Sequence, residues 1–225
     1  LQVVGNITNI ASERFNPVLT GSSTIMTGTP NVYISGRYAY VAGASLLQIF
    51  DVSTSSPALV GSTALSGGAN GGLYVSGRYA YVGASSKIEI YDVSNPSTPV
   101  RTGSVTASNG LISLSVSGRY AYAAGQSLAQ LQIFDVSNPT TPFQVGFAST
   151  TGPTLSDVSV SGKYAYTLNQ GGTDALNIFD ISNAATPTIE GSVAVGSDAV
   201  GLSVSGRYAY VITNGANTLV VIDIS

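Results

Sequence analysis

Nucleophilic and acid–base catalysis need side chains that attack or titrate near neutral pH, and this sequence supplies few of them. It contains no histidine and no cysteine, which removes Ser-His-Asp triads and zinc held by imidazole or thiolate. Charged residues make up only 8% of 225, and most recur at a fixed spacing. A cation at Arg37, Arg78, Arg119, Lys163 and Arg207 is followed each time by an aspartate, at Asp51, Asp92, Asp135, Asp180 and Asp223. Outside these ten stand Glu13, Glu89, Asp157, Asp174, Glu190 and Asp198, with Arg14, Lys87 and Arg101. Glycoside hydrolysis would need two opposed carboxylates, one of them with a raised pKa, and no glutamate falls on a strand expected to line the centre of the fold. The expectation is therefore a protein that is not an enzyme, with no cofactor and no metal site.

The ten recurrent charges belong to a longer repeat. Ser-Gly-Arg/Lys-Tyr-Ala-Tyr occurs five times, with its glycine at Gly36, Gly77, Gly118, Gly162 and Gly206, at intervals of 41, 41, 44 and 44 residues. Each copy is followed by an apolar pair, the aspartate, Val or Ile, and Ser. The stretch from Val32 to Ser35 alternates apolar and polar residues. Ser-Gly then gives a tight turn into Arg37 to Val41, which makes a hairpin of strands a and b. Leu47 to Val52 reads as strand c, and Ser-Asn-Pro-x-x-Pro (Ser94 to Pro99, Ser137 to Pro142) turns into strand d, Val100 to Ser104. No segment has helical periodicity. Four-stranded units at a period of 40 to 45 residues predict an all-β fold, a five-bladed β-propeller of four-stranded blades. The last unit stops after strand c, and Pro17 to Ser22 nearly duplicates Pro99 to Ser104, so the last blade is expected to be closed by an N-terminal strand. Leu1 to Gly5 is a second choice that leaves a long loop. The domain reading is residues 17–225 as the propeller and residues 1–16 as an extension or linker.

These features resemble the LVIVD-repeat family, propeller repeats of bacterial and archaeal surface proteins. The matching residues are the Tyr-Ala-Tyr-Val strand (Tyr38 to Val41, Tyr79 to Val82), the Ile/Val-x-Asp-Val/Ile-Ser strand (Ile49 to Ser53, Val221 to Ser225) and the Asn-Pro that follows. The resemblance implies the fold and brings no activity and no functional residues. Departures are small: Lys163 replaces Arg in the fourth unit, the Asn-Pro is lost after Asp51, and it becomes Asn183-Ala184 after Asp180.

Ten of the 13 tyrosines are the pair in the repeat. Residues i and i+2 of a strand share a face, so the tyrosines lie on one side and Ala39 and its equivalents on the other. Large faces should meet small ones between neighbouring blades, although an aromatic stripe is also the form of a sugar-stacking platform. The recurrent cation and aspartate should pair within each blade at one edge, the alternative being a ring of cations that binds an anion. Arg101 and Glu190 fall on outer strands, where charge discourages edge-to-edge aggregation.

A net charge of −3 with eight basic residues leaves no basic stripe for nucleic acid or an anionic membrane. No apolar run approaches the ~18 residues of a membrane helix. Low charge, absent cysteine and an Asn6-Ile7-Thr8 triplet fit a piece of a longer exported protein, extracellular or at the cell surface. The d–a and b–c loops vary and share one face: Thr63 to Asn70, Thr106 to Asn109, Gly125 to Ala129, Asn169 to Asp174 and Asn214 to Asn217. Variable loops on a rigid scaffold are where binding usually resides. Asp157, Asp198, Asn31 and Asp174 are the candidate binding residues, with Asp157 and Asp198 expected near the mouth of the central channel. The functional expectation is a non-catalytic surface module that binds protein partners or assembles with copies of itself. A lectin with repeated shallow sites is the alternative.

Overall fold

In the computed structural model, which describes residues 19–28, 30–172 and 174–225, nineteen strands form five antiparallel sheets. The first sheet comprises β1 (Asn31–Ser35), β2 (Tyr38–Gly43), β3 (Leu46–Asp51) and β4 (Ala58–Ala64). The second comprises β5 (Leu73–Ser76), β6 (Tyr79–Ala84), β7 (Lys87–Asp92) and β8 (Val100–Thr106). The third holds β9 (Leu111–Ser117), β10 (Tyr120–Gly125), β11 (Gln130–Asp135) and β12 (Phe143–Ser149). The fourth holds β13 (Thr154–Ser161), β14 (Tyr164–Gln170), β15 (Asp174–Asp180) and β16 (Thr188–Gly196), and the fifth β17 (Ala199–Ser205), β18 (Tyr208–Thr213) and β19 (Thr218–Asp223). Strands follow one another in chain order within every sheet. The first strands of successive sheets pack side by side, β1 on β5, β5 on β9, β9 on β13 and β13 on β17, so they form the inner wall.

Local chemistry explains the hairpins. Ser35 pairs with Tyr38 across a two-residue turn whose first residue, Gly36, has φ of 58°. Its four counterparts have φ of 58–59°, and a Cβ added at any of the five would meet nothing within 4 Å. The requirement is one of backbone conformation alone, which glycine meets without strain. On the outer strands the demand is different. Gly61, Gly103 and Gly146 sit at a bulge repeated in the first three sheets, and an added Cβ would collide with the carbonyl of Pro96, Pro139 or Ala184 in the next sheet.

The core lies between sheets. Tyr40, Ala42, Leu47 and Ile49 of the first pack on Leu73, Val75, Ala80, Val82 and Tyr91 of the second. The same pattern joins the second to the third, the third to the fourth and the fourth to the fifth. Tyrosine faces therefore meet alanine faces, as the spacing within Tyr-Ala-Tyr predicts.

The expected closure by an N-terminal strand is not what the described residues form. Pro17, Val18 and all of residues 1–16 lie outside them, as does the second-choice strand Leu1 to Gly5. Leu19 to Ser22 are described and belong to no strand, and the fifth sheet has three strands. β17 does not pack on β1 as the other inner strands pack on their neighbours.

Candidate functional site

The repeated charges occupy one edge of every sheet and neutralise each other. Arg37 donates to Asp51, Arg78 to Asp92, Arg119 to Asp135 and Arg207 to Asp223, and the Lys163 ammonium lies 3.2 Å from Asp180. Each cation also rests over the ring of the tyrosine that follows it, at 4.8–5.5 Å. The other oxygen of each aspartate accepts the backbone N–H of the serine two residues on, as in Ser53 N–H to Asp51 at 2.9 Å. An anion-binding ring would need free cations, and all five of these are paired.

The pairing sets the pKa values. Hydrogen bonds from Arg37 and Arg78, then from Ser53 and Ser94, hold Asp51 and Asp92 well below the usual carboxylate range. Asp180, bonded first to Ser182 and then to Lys163, is lowered to about 2, and so is Asp223, bonded to Arg207 and then Ser225. At Asp135 burial opposes the shift, but Ser137 and Arg119 outweigh it. Carboxylates with depressed folded pKa values add stability that is fully present above the unfolded value, about 3.9. It is lost as pH falls through the folded values. Denaturant unfolding at a series of pH values should show stability declining from about pH 4 towards pH 2. Replacing the five aspartates with asparagine should flatten that decline.

The four candidate binding residues divide into two kinds. Asn31 donates to Ala69 O at 3.0 Å, tying the first sheet to the loop before the second. Asp174, buried at the start of β15, accepts Ala199 N–H at 2.8 Å and Gly171 N–H at 3.1 Å. Asp157 joins three sheets on the inner wall: Ser113 Oγ donates to it at 2.7 Å from β9, and Leu202 N–H at 2.9 Å from β17. Val158 N–H adds a third bond at 2.8 Å. Burial raises the Asp157 pKa despite these bonds. These three residues act as ties between sheets. Asp198 is exposed and takes a hydrogen bond from the Gln170 amide.

Gln170 and Asp198 line a cleft of about 440 Å³ with Thr154, Gly171, Gly172, Asp174 and Ser197. It lies between the fourth and fifth sheets, on the face of the d–a and b–c loops. A second cleft of about 320 Å³ on the same face, between the second and third sheets, is lined by Asn70, Ser85, Ser86, Gly110, Leu111, Ile112 and Gln126. One non-glycine residue in each, Asp198 (φ 58°) and Ser85 (φ 56°), holds the left-handed conformation, a strain that tends to accompany functional loops. Neither cleft contains a basic side chain, and their polar groups are hydroxyls, amides and carboxylates.

A position not anticipated from the sequence lies in the middle of the third strands. Fully buried Glu89 on β7 accepts Ser66 N–H at 3.1 Å and Tyr91 Oη at 2.8 Å, and pairs with Arg101 at 2.9 Å. Burial pushes its pKa up, but these bonds outweigh it and the carboxyl stays below its usual value. Gln132 does the same work on β11, accepting Ser108 N–H at 2.8 Å, and Gln48 on β3 accepts Met26 N–H at 3.1 Å. In each of these three sheets a long polar side chain thus captures a backbone N–H of the segment that leads into the sheet's inner strand. Arg101, expected as a guard of an outer edge, is instead the partner of a buried glutamate. The signal in the sequence was a long polar residue, Gln48, Glu89 or Gln132, amid the apolar third strands of the first three sheets.

A radial series of antiparallel sheets, inner strands side by side and polar loops grouped on one face, is the architecture of a β-propeller. The LVIVD repeat model matches residues 28–64, 67–107, 112–150, 154–195 and 196–225, and the chain belongs to the LVIVD-repeat family. A comparison with curated proteins finds no match. Among solved structures, the chain is similar to a candidate 6-phosphogluconolactonase of Bacteroides uniformis, with 19% identity over 85% of this chain and 65% of that one and a TM-score of 0.70. It is also similar to the periplasmic gluconolactonase PpgL of Pseudomonas aeruginosa (19% identity, 84% and 63% covered, TM-score 0.71). A third is BamB of Moraxella catarrhalis (13% identity, 89% and 59% covered, TM-score 0.65). The chain spans less than two thirds of each of these proteins.

At such identities the likeness is one of fold. It nonetheless corrects the expectation that the chain is not an enzyme, because structures of this architecture include proteins named as lactonases. Lacking histidine and cysteine excludes triads and the commonest zinc ligands, but it leaves chemistry based on carboxylates and hydroxyls open.

Proposed function

We propose that the protein is an extracellular or cell-surface interaction module whose variable-loop face is the binding surface. The observation that carries this reading is the pair of polar clefts between neighbouring sheets on that face, both built from loops that differ from repeat to repeat. The opposite face repeats nearly unchanged, and its charges are consumed in ion pairs. Protein partners, copies of the same module included, are the proposed ligands. A glycan is the second reading, supported by clefts lined with amide, hydroxyl and carboxylate groups of the kind that hydrogen-bond sugar hydroxyls.

The test is a glycan array with and without calcium, run beside binding to intact cells of the source organism. A Gln170→Ala, Asp198→Ala variant serves as control, since neither side chain ties sheets together by its backbone contacts. Saturable array binding lost in the variant supports the glycan reading. A blank array with cell binding lost in the variant supports a protein partner at the same face. Gluconolactone hydrolysis above background, unchanged in the variant and without binding in either assay, would replace both readings with a catalytic one.

A further inference from the structure

Asparagine followed directly by glycine occurs three times in the sequence, at Asn70-Gly71, Asn109-Gly110 and Asn214-Gly215. All three pairs lie in d–a or b–c loops, on the face that carries the two clefts. Asn70 and Gly110 line the cleft between the second and third sheets. Gly215 lies against Ser197, which lines the cleft between the fourth and fifth. Asparagine before glycine is the pair in which a backbone nitrogen most readily attacks a side-chain carbonyl, because glycine has no Cβ to crowd the nitrogen and its backbone turns freely.

The structure separates the three pairs. At Asn70 the attacking nitrogen is held: Gly71 is buried, its N–H donates to Gly83 O at 2.9 Å, and Gly83 N–H returns a bond to Gly72 O at 3.0 Å. At Asn109 the group under attack is held, because the half-buried side chain donates to Ser127 O and accepts from the Gln132 amide at 3.3 Å. Asn214 has neither restraint among the described residues. Residues 214–217, which join β18 to β19, are exposed throughout. Gly215 N–H makes one longer bond, 3.2 Å to Ser197 O, and the turn closes through Asn217 N–H to Asn214 O at 3.3 Å, distances at or beyond the weak end of the ordinary range. The contact of Gly215 with Ser197 is to an exposed hydroxyl that is free to rotate.

We propose that Asn214 is a site of spontaneous modification that remodels the neighbouring cleft. The Gly215 nitrogen attacks Asn214 Cγ, so that the N–Cγ bond forms and the Cγ–Nδ2 bond breaks. The side-chain nitrogen leaves as ammonia, taking up the equivalent of the proton lost from Gly215 N–H through water. Water then opens the cyclic imide, at Cγ to give aspartate or at the main-chain carbonyl to give isoaspartate, and nothing is oxidised or reduced. Either product places a new carboxylate in a loop whose Asn214 N–H bonds Asp198 O at 2.9 Å. Isoaspartate also lengthens the backbone by one atom between Asn214 Cα and the Gly215 nitrogen. The Asn214 and Gly215 N–H groups then no longer fit Asp198 O and Ser197 O together, and the wall of the cleft formed by Ser197 and Asp198 shifts. On the reading that this face binds, ageing of the chain changes what the cleft accepts.

The experiment ages the folded chain, and the same chain unfolded in denaturant, at mildly alkaline pH. Each Asn-Gly peptide is then read by mass spectrometry for loss of the amide and by enzymatic methyl transfer for isoaspartate. In the unfolded chain the three pairs should react at similar rates. In the folded chain Asn214 should stay within about threefold of its unfolded rate, while Asn70 and Asn109 should be slowed at least roughly 10-fold, since their attack waits on local opening. Amide NMR spectra taken in parallel should show Ser197 and Asp198 moving in step with the modification and Ser85 and Gly110 unmoved. An Asn214→Gln variant, whose longer side chain closes the ring far more slowly, should keep its Ser197 and Asp198 signals fixed through the same ageing. The proposal is overturned if Asn214 in the folded chain is as slow as the other two, or if all three react alike in both states. It is equally overturned if Asn214 is modified while Ser197 and Asp198 stay where they were, or if they move in the glutamine variant as well. Neither readout uses a ligand, so its failure is distinct from failure of the binding reading.

Discussion

Leu131→Ala should destabilise the protein by about 2–5 kcal/mol, while Leu219→Ala, at the same register of the repeat, should change stability by no more than about 0.5 kcal/mol. Both leucines lie one position into the third strand of their sheets, opposite the residue that follows Tyr-Ala-Tyr-x in the second. Leu131 is fully buried between the third and fourth sheets, where truncation leaves a cavity that rigid strands close only in part. Leu219 faces solvent, so truncation there removes little buried surface. Urea unfolding of the two variants measures the difference directly.

What the sequence disclosed, and what it did not, follows from the range of each interaction. The hairpins were legible because Ser-Gly before a Tyr-Ala-Tyr strand is a local instruction, and the positive φ at Gly36 needs no partner. The ion pairs were legible because Arg37 and Asp51 bracket one b–c hairpin, so their proximity follows once the hairpin is granted. The tyrosine-to-alanine packing was legible because period-two alternation fixes which residues share a face. Asp157 was not, because its partners, Ser113 and Leu202, lie 44 and 45 residues away and one of them is backbone. Nothing in a sequence marks which N–H will point at a carboxylate. Glu89 was passed over for the same reason, its ligands including Ser66 N–H in the preceding sheet's exit.

The closing strand is the instructive case. Likeness of Pro17–Ser22 to Pro99–Ser104 identified an outer strand, and Gly21 does occupy an outer-strand glycine's place against Ser55. Which sheet that strand completes is a different matter. Every sheet of a repeat offers the same edge, so sequence similarity selects the role and not the partner. Assigning it to the fifth sheet required an assumption about the number of blades, and the number of blades is a property of the ring's geometry, to which no single repeat is sensitive.

Asp157→Ala should cost about 2–4 kcal/mol, the second-largest effect expected of a single substitution here. It deprives Leu202 N–H, Val158 N–H and the Ser113 hydroxyl of an acceptor at once, on an inner wall where replacement by water is restricted. Asp157→Asn should behave differently. Its amide oxygen can still accept from Leu202, and its NH₂ can donate to Ser113 Oγ, so most of the ties survive. The charge does not, and the direction of the pKa settles the consequence. Because burial raises the Asp157 carboxyl above its unfolded value, the ionised form costs folding energy. That cost is absent below the unfolded pKa of about 3.9 and complete once pH exceeds the folded value. The stability of the asparagine variant relative to the native protein should therefore rise with pH from about 4 upward, opposite in sign to the trend set by the five paired aspartates. Denaturant midpoints at pH 3.5 and pH 7 resolve the two. If the native protein instead gained on the asparagine variant as pH rose, Asp157 would be held ionised by a cation, and its place would be a binding site and not a tie between blades.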